Sequence, residues 1–233
     1  LEIIDLAAVS ELAHAAGALV IVDNVFASPV LQKPLAFGAD VVVYSATKHI
    51  DGQGRVLGGA VLSTEEFKTD YLMPFTRHTG PSLSPFNAWV LVKGLETMRL
   101  RVDAMSRSAH TLAEQLEQHS SVDRVGYPML PSHPQFELAK RQMSAGGTVL
   151  TIDVQNKERA FAFMDAMELF DISNNVGDSK SLATHPATTT HRRIGAEARA
   201  LVGIGDGMIR LSIGLEDPQD LYTDLDIALS QLP

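Results

Sequence analysis

The sequence contains no cysteine, and this absence removes several kinds of chemistry at once. Disulfide bonds, thiolate nucleophiles and Cys-ligated zinc or iron–sulfur sites are all excluded. Compartment is not fixed by cysteine content, and a cytoplasmic protein is the simpler expectation. Long apolar runs are missing as well. No run approaches the ~20 residues that a membrane-spanning helix needs, so no span is predicted.

Aromatic residues and positive charge are both scarce. Aromatics make up 6% of the 233 residues, and 28 acidic side chains outnumber 19 Lys and Arg, giving a net charge of −9. The acidic residues are scattered, and no basic stripe with interleaved aromatics is present. We therefore expect neither nucleic acid nor a membrane as a partner. The remaining composition, 45% hydrophobic and 20% charged, is typical of a globular protein with one or two domains.

The first residues lack two common signals. No basic segment followed by an apolar run is present, so a secretory signal is not predicted. The initiating Met is missing too. We therefore expect the chain to be a processed or truncated piece of a longer protein.

The first fifty residues follow the rhythm of an α/β unit. Apolar residues at helical spacing predict a helix over residues 5–16, with Asp5 as its N-cap. Residues 19–22 and 41–44 are continuous apolar runs, which are typical of parallel strands buried on both faces. Ligands of such sheets bind beyond the carboxyl ends of the strands. Asp23 and residues 45–48 lie at those ends.

The rest of the chain divides into a long helix and a region of mixed elements. Ser84 and Pro85 are an N-cap and first-turn pair that begins a predicted helix over residues 86–119. We predict strands over residues 58–62, 122–125, 148–154 (half-buried) and 208–213, a helix starting at 63–66, a loop at 77–81, and helices over 136–143, 157–167 and 217–232. The second half is therefore predicted to be a smaller α+β domain.

Lys48 is the strongest candidate for chemistry. A lysine at the end of a buried strand is desolvated, which lowers its pKa and makes it a nucleophile toward carbonyls. Ser45 and Thr47 offer hydroxyls suited to a phosphate, and Asp23 offers a carboxylate for a pyridine nitrogen. Together these groups match pyridoxal 5'-phosphate (PLP) held as a Schiff base. On spacing alone, however, solvated residues at strand ends remain the commoner explanation.

Longer motifs resemble the trans-sulfuration (Cys/Met metabolism) family of PLP-dependent enzymes. The resemblance runs along the whole chain. It rests on residues 22–29 (VDNVFASP), 38–48 (GADVVVYSATK), 77–81 (RHTGP), 84–89 (SPFNAW), 185–191 (HPATTTH) and 209–216 (IRLSIGLE). Residues 48–55 (KHIDGQGR) are most similar to the O-succinylhomoserine sulfhydrylase branch of this family.

The resemblance implies a fold and a division of domains. The fold would be α/β, of the aspartate-aminotransferase-like type (fold type I). Residues 1–104 would form the C-terminal part of the PLP-binding large domain, and residues 105–233 the small C-terminal domain. Relatives are homotetramers with active sites shared between subunits, so a homo-oligomer is expected.

The resemblance also implies roles for individual residues. Lys48 would bind PLP covalently and carry the substrate's protons, Asp23 would pair with the pyridine nitrogen, and Ser45 and Thr47 would bind the phosphate. Arg210 would bind the α-carboxylate of the substrate. Asn175 would lie near the same carboxylate, although many relatives have Ser-Leu-Gly where this chain has Asn-Val-Gly.

The implied reaction is replacement of the succinyl group of O-succinylhomoserine by sulfide, giving homocysteine for methionine biosynthesis. Alternatives within the family are cystathionine γ-synthase and cystathionine or methionine γ-lyase. An alternative of another class is a non-catalytic fragment of such an enzyme. The upstream half of the family, which carries a ring-stacking tyrosine and further phosphate ligands, is not in this sequence. We therefore expect this polypeptide alone to build only part of the site.

Three weaker patterns favour structural roles. Residues 203–207 (GIGDG) precede a predicted strand rather than opening a helix, so they indicate a turn and not a dinucleotide site. His185 and His191 lack partners at metal-ligand spacing and are predicted to structure a loop. The stripe of Phe161, Met164 and Met167 is predicted to be core packing.

Overall fold

The computed structural model describes residues 1–233, which form two β-sheets and nine α-helices. The helices are α1 (Leu6–Ala15), α2 (Ser28–Leu31), α3 (Glu65–Phe67), α4 (Met73–Thr79), α5 (Pro85–Glu117), α6 (Phe136–Gln142), α7 (Lys157–Ala166), α8 (Gly195–Leu201) and α9 (Pro218–Ser230). The strands are β1 (Ile21–Asp23), β2 (Val41–Ser45), β3 (Gly59–Leu62), β4 (Arg124–Gly126), β5 (Val149–Asp153), β6 (Asp171–Ile172), β7 (Leu182–Thr184) and β8 (Met208–Ser212).

The first sheet has the strand order β1-β2-β3. β1 and β2 are parallel, as the sequence predicts, and Asp23 lies opposite Val43. β3 returns antiparallel to β2 and places Gly59 opposite Ser45. The carboxyl ends of β1 and β2 therefore share one edge, so Asp23 and the turn after Ser45 lie at the same edge of the sheet.

Burial of these two strands differs. Val41 and Val42 are 2% and 1% exposed, which agrees with a strand covered on both faces. The same prediction for residues 19–22 is wrong, because Leu19 and Ile21 are 54% and 59% exposed. β1 is an edge strand, and no other part of the chain covers these side chains.

The second sheet carries the larger hydrophobic core. Its strand order is β4-β5-β8-β7-β6, and α5, α7 and α9 pack with it around a cluster of 23 buried apolar residues. The prediction that β5 is half-buried is wrong, since every residue from Val149 to Ile152 is buried. Leu150 and Ile152 face the helices, whereas Val149 borders the N-terminal segment beginning at Leu1.

Helix α5 joins the two halves. Ser84 Oγ accepts a hydrogen bond from Asn87 N at 3.1 Å, and Pro85 occupies the first turn, as predicted. Val90 and Leu91 pack with the core of the first sheet, whereas Leu112 belongs to the core of the second. The predicted domain boundary at residues 104–105 falls inside α5 and stays a prediction. Neither α5 nor any other helix has the length and hydropathy to cross a bilayer.

Some short elements differ from the sequence predictions. Residues 77–79 belong to α4 instead of a loop, and the helix ends at Gly80, whose φ of +70° is left-handed. β6, β7 and α8 were not predicted. They contain two, three and seven residues, and elements this short carry only a weak hydrophobic period in the sequence.

Candidate active site

The segment after β2 folds into a tight turn that presents Lys48. Lys48 N donates to Ser45 O at 3.2 Å, Asp51 N to Ala46 O at 2.9 Å, and Gly52 N to Lys48 O at 2.7 Å. We call residues 46–52 the Lys48 turn. Because its backbone bonds are helix-like, the turn fixes the direction in which the lysine side chain leaves the sheet.

Lys48 reaches the segment between β6 and β7. Its Nζ donates a hydrogen bond to Asn175 Oδ1, so two residues that the sequence assigned to one site lie together. The pKa of Lys48 is lowered, first by desolvation and then by the positive charge of Arg210. No carboxylate forms an ion pair with Lys48. The amine therefore releases its proton more readily than an exposed lysine does.

Arg210 lies in the middle of β8, beside Asn175. Its Nη2 donates to Asn174 O at 2.9 Å and to Asn175 O at 3.4 Å. Its Nε is buried and has no hydrogen-bond partner. Desolvation lowers the pKa of Arg210. A half-buried guanidinium with a buried, unpartnered N–H and no carboxylate partner is suited to receive an anion.

Asp23 lies at the carboxyl end of β1, on the same edge as the Lys48 turn but not bonded to it. Its Oδ1 accepts a hydrogen bond from Val25 N at 3.1 Å. The adjoining Asn24 is buried and donates to Tyr44 Oη at 3.0 Å, which ties the ends of β1 and β2 together. The edge therefore carries a carboxylate with a second oxygen available to a ligand.

The two hydroxyls near Lys48 differ in their bonds. Thr47 Oγ1 accepts from Gly58 N at 3.1 Å, which holds the turn against the approach to β3. Ser45 is half-buried, and its hydroxyl has no side-chain partner in the chain. Ser45 is therefore the freer donor of the two for a phosphate oxygen.

Sequence reasoning missed the residues that hold the Lys48 turn. His49 is buried, and its Nε2 lies 2.9 Å from Thr148 Oγ1 at the start of the second sheet. Burial, together with the charges of Arg101 and Lys48, lowers the pKa of His49 to about 4. Asp51 is also buried and is bonded by Arg55. A polar run directly after a buried strand was the available signal for these residues.

The weaker sequence patterns have the structural roles predicted for them, with one exception. His185 is bonded to Thr188 Oγ1 and Asp206 O at 2.9 and 2.7 Å. Residues 203–207 form a turn into β8. Phe161 is the exception, because it is 36% exposed and lies outside the core, with its ring 5.2 Å from that of His185.

These donors fit the chemistry of PLP. The set comprises an amine of lowered pKa, a free hydroxyl at Ser45, a carboxylate at Asp23 and an anion receptor at Arg210. The buried, unpartnered Arg210 Nε fits an anionic group at this place. The Asn175 side chain bonds Lys48, the Asn175 carbonyl bonds Arg210, and the charge of Arg210 acts on Lys48. Asp23 and Ser45 lie at the same edge of the first sheet.

Comparison with known proteins places this arrangement in context. Residues 1–230 match the family model "Cys/Met metabolism PLP-dependent enzyme". The chain is 60% identical to O-succinylhomoserine sulfhydrylase of Mycobacterium tuberculosis, over 98% of this chain and 57% of that protein. The sulfhydrylase of Pseudomonas aeruginosa is 51% identical, over 99% and 57%. Cystathionine gamma-lyase of Bacillus subtilis is 39% identical, over 100% and 61%.

Solved structures show the same fold. A cystathionine gamma-lyase (CalE6) from Micromonospora echinospora superposes with a TM-score of 0.95 and 43% identity, over 99% of this chain and 61% of that one. A cystathionine gamma synthase from Xanthomonas oryzae pv. oryzae gives 0.94 and 41%, over 98% and 59%. The fold is therefore the α/β, aspartate-aminotransferase-like fold of PLP enzymes. The chain spans less than two thirds of the length of each of these proteins.

Proposed function

Because the chain belongs to the Cys/Met metabolism family of PLP-dependent enzymes, we propose that the protein replaces the succinyl group of O-succinylhomoserine with sulfide. The products are homocysteine and succinate. The observation that carries this choice of substrate is the identity of 60% and 51% to two sulfhydrylases, against 39% to a lyase of the same family. PLP is the cofactor.

Lys48 is the proposed catalytic residue. Bound PLP supplies an electron sink for the electrons left at the substrate's α-carbon. Lys48 would hold the cofactor through its aldehyde, and its amine would carry protons to and from the substrate. That task needs a neutral amine. The lowered pKa of Lys48, caused by desolvation and by Arg210, increases the neutral fraction near neutral pH.

Arg210 and Asn175 are the proposed substrate-binding residues. The unpartnered Nε of Arg210 is suited to donate a charge-assisted hydrogen bond to the α-carboxylate of the substrate. The Asn175 side chain lies beside Lys48, and its backbone carbonyl lies beside Arg210. The Asn175 amide is therefore placed to orient the lysine as well as the substrate.

Asp23, Ser45 and Thr47 are the proposed ligands of the rest of the cofactor. The Asp23 carboxylate would keep the pyridine nitrogen protonated, because an anion beside that nitrogen favours its charged form. The hydroxyls of Ser45 and Thr47 would donate to the phosphate. Thr47 accepts from Gly58 N at 3.1 Å, and its own proton makes only a long bond of 3.5 Å to Gly58 O, which a phosphate oxygen would replace.

Product analysis tests the proposal. The full-length protein, supplied with PLP, O-succinylhomoserine and sulfide, is expected to form homocysteine and succinate. Lys48→Ala is expected to abolish this reaction, and Lys33→Ala, at an exposed lysine, to leave it intact. Turnover of O-succinylhomoserine that does not require sulfide would contradict the proposal.

A γ-lyase or γ-synthase acting on cystathionine or methionine is the second candidate. The 39% identity to the Bacillus subtilis lyase and the TM-scores of 0.95 and 0.94 to a lyase and a synthase favour it. A lyase would release ammonia and 2-oxobutanoate from cystathionine or methionine without an added thiol. A synthase would prefer cysteine over sulfide as the thiol. Competition between the two thiols for O-succinylhomoserine therefore separates these functions.

A non-catalytic polypeptide is the candidate of another class. It is motivated by the chain length, which is 57% of that of the sulfhydrylases. The intact mass of the natural protein distinguishes a longer enzyme from a polypeptide limited to these residues. A natural protein of this length that binds no PLP would support this candidate over the enzyme.

A further inference from the structure

The Lys48 turn ends with three carbonyl groups that its own backbone leaves unpaired. Within the turn, Gly52 N uses the carbonyl of Lys48. The carbonyls of His49, Ile50 and Asp51 follow, and no backbone N–H bonds them. Helix-like turns generally leave their last carbonyls free, and buried ones need a donor from elsewhere in the fold.

Arg101, on the distant helix α5, supplies two of these donors. Its Nη1 donates to His49 O at 3.0 Å, and its Nη2 donates to Ile50 O at 3.3 Å and to Gly94 O at 2.8 Å. Its Nε donates to Thr97 Oγ1 at 3.1 Å. Arg101 is 6% exposed. All three nitrogens of its guanidinium are therefore bonded, and none to a carboxylate.

Arg55 supplies the donor for the third carbonyl, that of Asp51. Its Nη2 donates to Asp51 O at 2.9 Å, while its Nε donates to the Asp51 carboxylate at 2.8 Å. The carbonyls of residues 49–51 consequently all accept hydrogen bonds from arginine side chains. A lysine has three donors, but they share one nitrogen and do not reproduce the planar fork by which separate nitrogens of Arg101 reach His49 O, Ile50 O and Gly94 O.

Two glycines allow this close approach. A Cβ at Gly52 would lie 1.8 Å from Arg101 Nη1, and a Cβ at Gly94 would lie 2.2 Å from Ile50 O. Gly52 also has a φ of +71°. The guanidinium therefore fills a space shaped for it between α5 and the turn, and small movements of either one would break the hydrogen bonds.

We propose that Arg101 is a positioning residue for Lys48: it fixes the turn on α5 and so sets where the amine of Lys48 lies relative to Asn175 and Arg210. A guanidinium is costly to bury, and an apolar side chain would serve packing alone at lower cost. What the guanidinium adds is the fixed geometry of the carbonyls next to Lys48. This inference rests on the proposed role of Lys48 in catalysis.

The test compares Arg101→Lys with Arg99→Lys in the full-length protein. Arg99 lies on the same helix, but its side chain is 79% exposed and reaches only Asp103. Three properties are measured: amide hydrogen exchange of residues 49–52 without cofactor, the pH midpoint of the visible absorbance of PLP-loaded protein, and kcat and KM for the substrate. Amide hydrogen exchange without cofactor reports on the geometry of the turn even if the proposed reaction is wrong.

In Arg101→Lys we expect exchange in the turn to rise about tenfold or more, since its carbonyl anchors are lost. We also expect the pH midpoint to shift, and kcat to fall about tenfold with little change in KM, because the misplaced group is the proton carrier and not the carboxylate receptor. Arg99→Lys should match the wild type in all three properties.

Equal exchange and equal pH midpoints in the two variants would overturn the proposal, even if Arg101→Lys melts at a lower temperature. Should Arg101→Lys fail to fold, Thr97→Val removes the acceptor of Arg101 Nε, together with the long bond from Thr97 Oγ1 to Gly94 O, and is expected to shift exchange and midpoint in the same direction by less. An unchanged Thr97→Val protein would then overturn it. Absence of PLP at Lys48 in the wild type would instead refute the proposed function.

Discussion

Lys48 has an unusual set of neighbours for a lysine at a strand end. Its amine is bonded to an amide oxygen, lies near the half-buried guanidinium of Arg210 and has no carboxylate partner. A solvated lysine would keep its proton at neutral pH. In this site the amine is biased toward its neutral form, which is the form that attacks an aldehyde and accepts a proton.

Removing the positive charge of Arg210 should partly restore the ordinary pKa of Lys48. In Arg210→Gln we expect the pKa of Lys48 to rise, because a positive charge that disfavours its protonated form is lost. The pH dependence of Lys48 acylation in protein without cofactor, followed by peptide mass spectrometry, measures it. Arg193→Gln, at an exposed arginine, is the control. An unchanged pKa in Arg210→Gln would show that the two charges do not interact.

His49 gives a second prediction, about stability and pH. Its pKa is about 4 in the folded protein and about 6.5 when unfolded, so between these values only the unfolded chain binds the proton. The free energy of unfolding should therefore decrease by roughly 3 kcal/mol as pH falls from 6.5 to 4, and His49→Gln should lack this contribution. Urea unfolding of both proteins across this range checks the difference. Parallel pH profiles would contradict the buried, neutral state of His49.

The sequence pattern predicted part of the candidate active site. Asp23, Ser45 and Lys48 follow apolar strands, so local pattern alone brought them to one edge of the sheet. Asn175 and Arg210 were found only through the family motifs, and the structure places both beside Lys48. Arg101 was missed. Its contacts with residues 49 and 50 are separated by 52 and 51 positions in the sequence, so they leave no periodic pattern there.

At the scale of elements, α5 supports the Lys48 turn at a point of backbone contact. Gly94→Ala would normally stabilise a helix by about 1 kcal/mol. Here the new Cβ would lie 2.2 Å from Ile50 O, so we expect a net loss of about 1–3 kcal/mol from overpacking. Denaturant unfolding measures it. Glu96→Ala, on an exposed position of α5, should change stability by no more than about 0.5 kcal/mol. A stabilised Gly94→Ala protein would contradict the contact.

Elements with strong end signals were predicted well, and burial was predicted poorly. Ser84 with Pro85 marked the start of α5 correctly, and the cap at Asp5 did so for α1. β1 and β5 were assigned the wrong burial. Their exposure depends on what packs over them, and that is decided by distant parts of the chain and not by their own alternation of residues.

At the scale of the whole molecule, the first half exposes much apolar surface. Phe75 on α4 and Phe86, Trp89 and Leu100 on α5 are 58–73% exposed. Patches of large apolar side chains mark protein–protein contacts. We expect the full-length protein to be a homo-oligomer, a tetramer with shared active sites. Light scattering after size-exclusion chromatography measures the mass and hence the number of subunits. A monomer at micromolar concentration would contradict this expectation.

The central claim is that Lys48 holds the cofactor, and one measurement tests it most directly. Full-length protein loaded with PLP is reduced with borohydride, digested with trypsin and mapped by mass spectrometry. The phosphopyridoxyl group is expected on Lys48, in a peptide left uncleaved there and ending at Arg55, and absent in Lys48→Arg. The group on another lysine, or PLP retained through a reducible bond in Lys48→Arg, would contradict the claim.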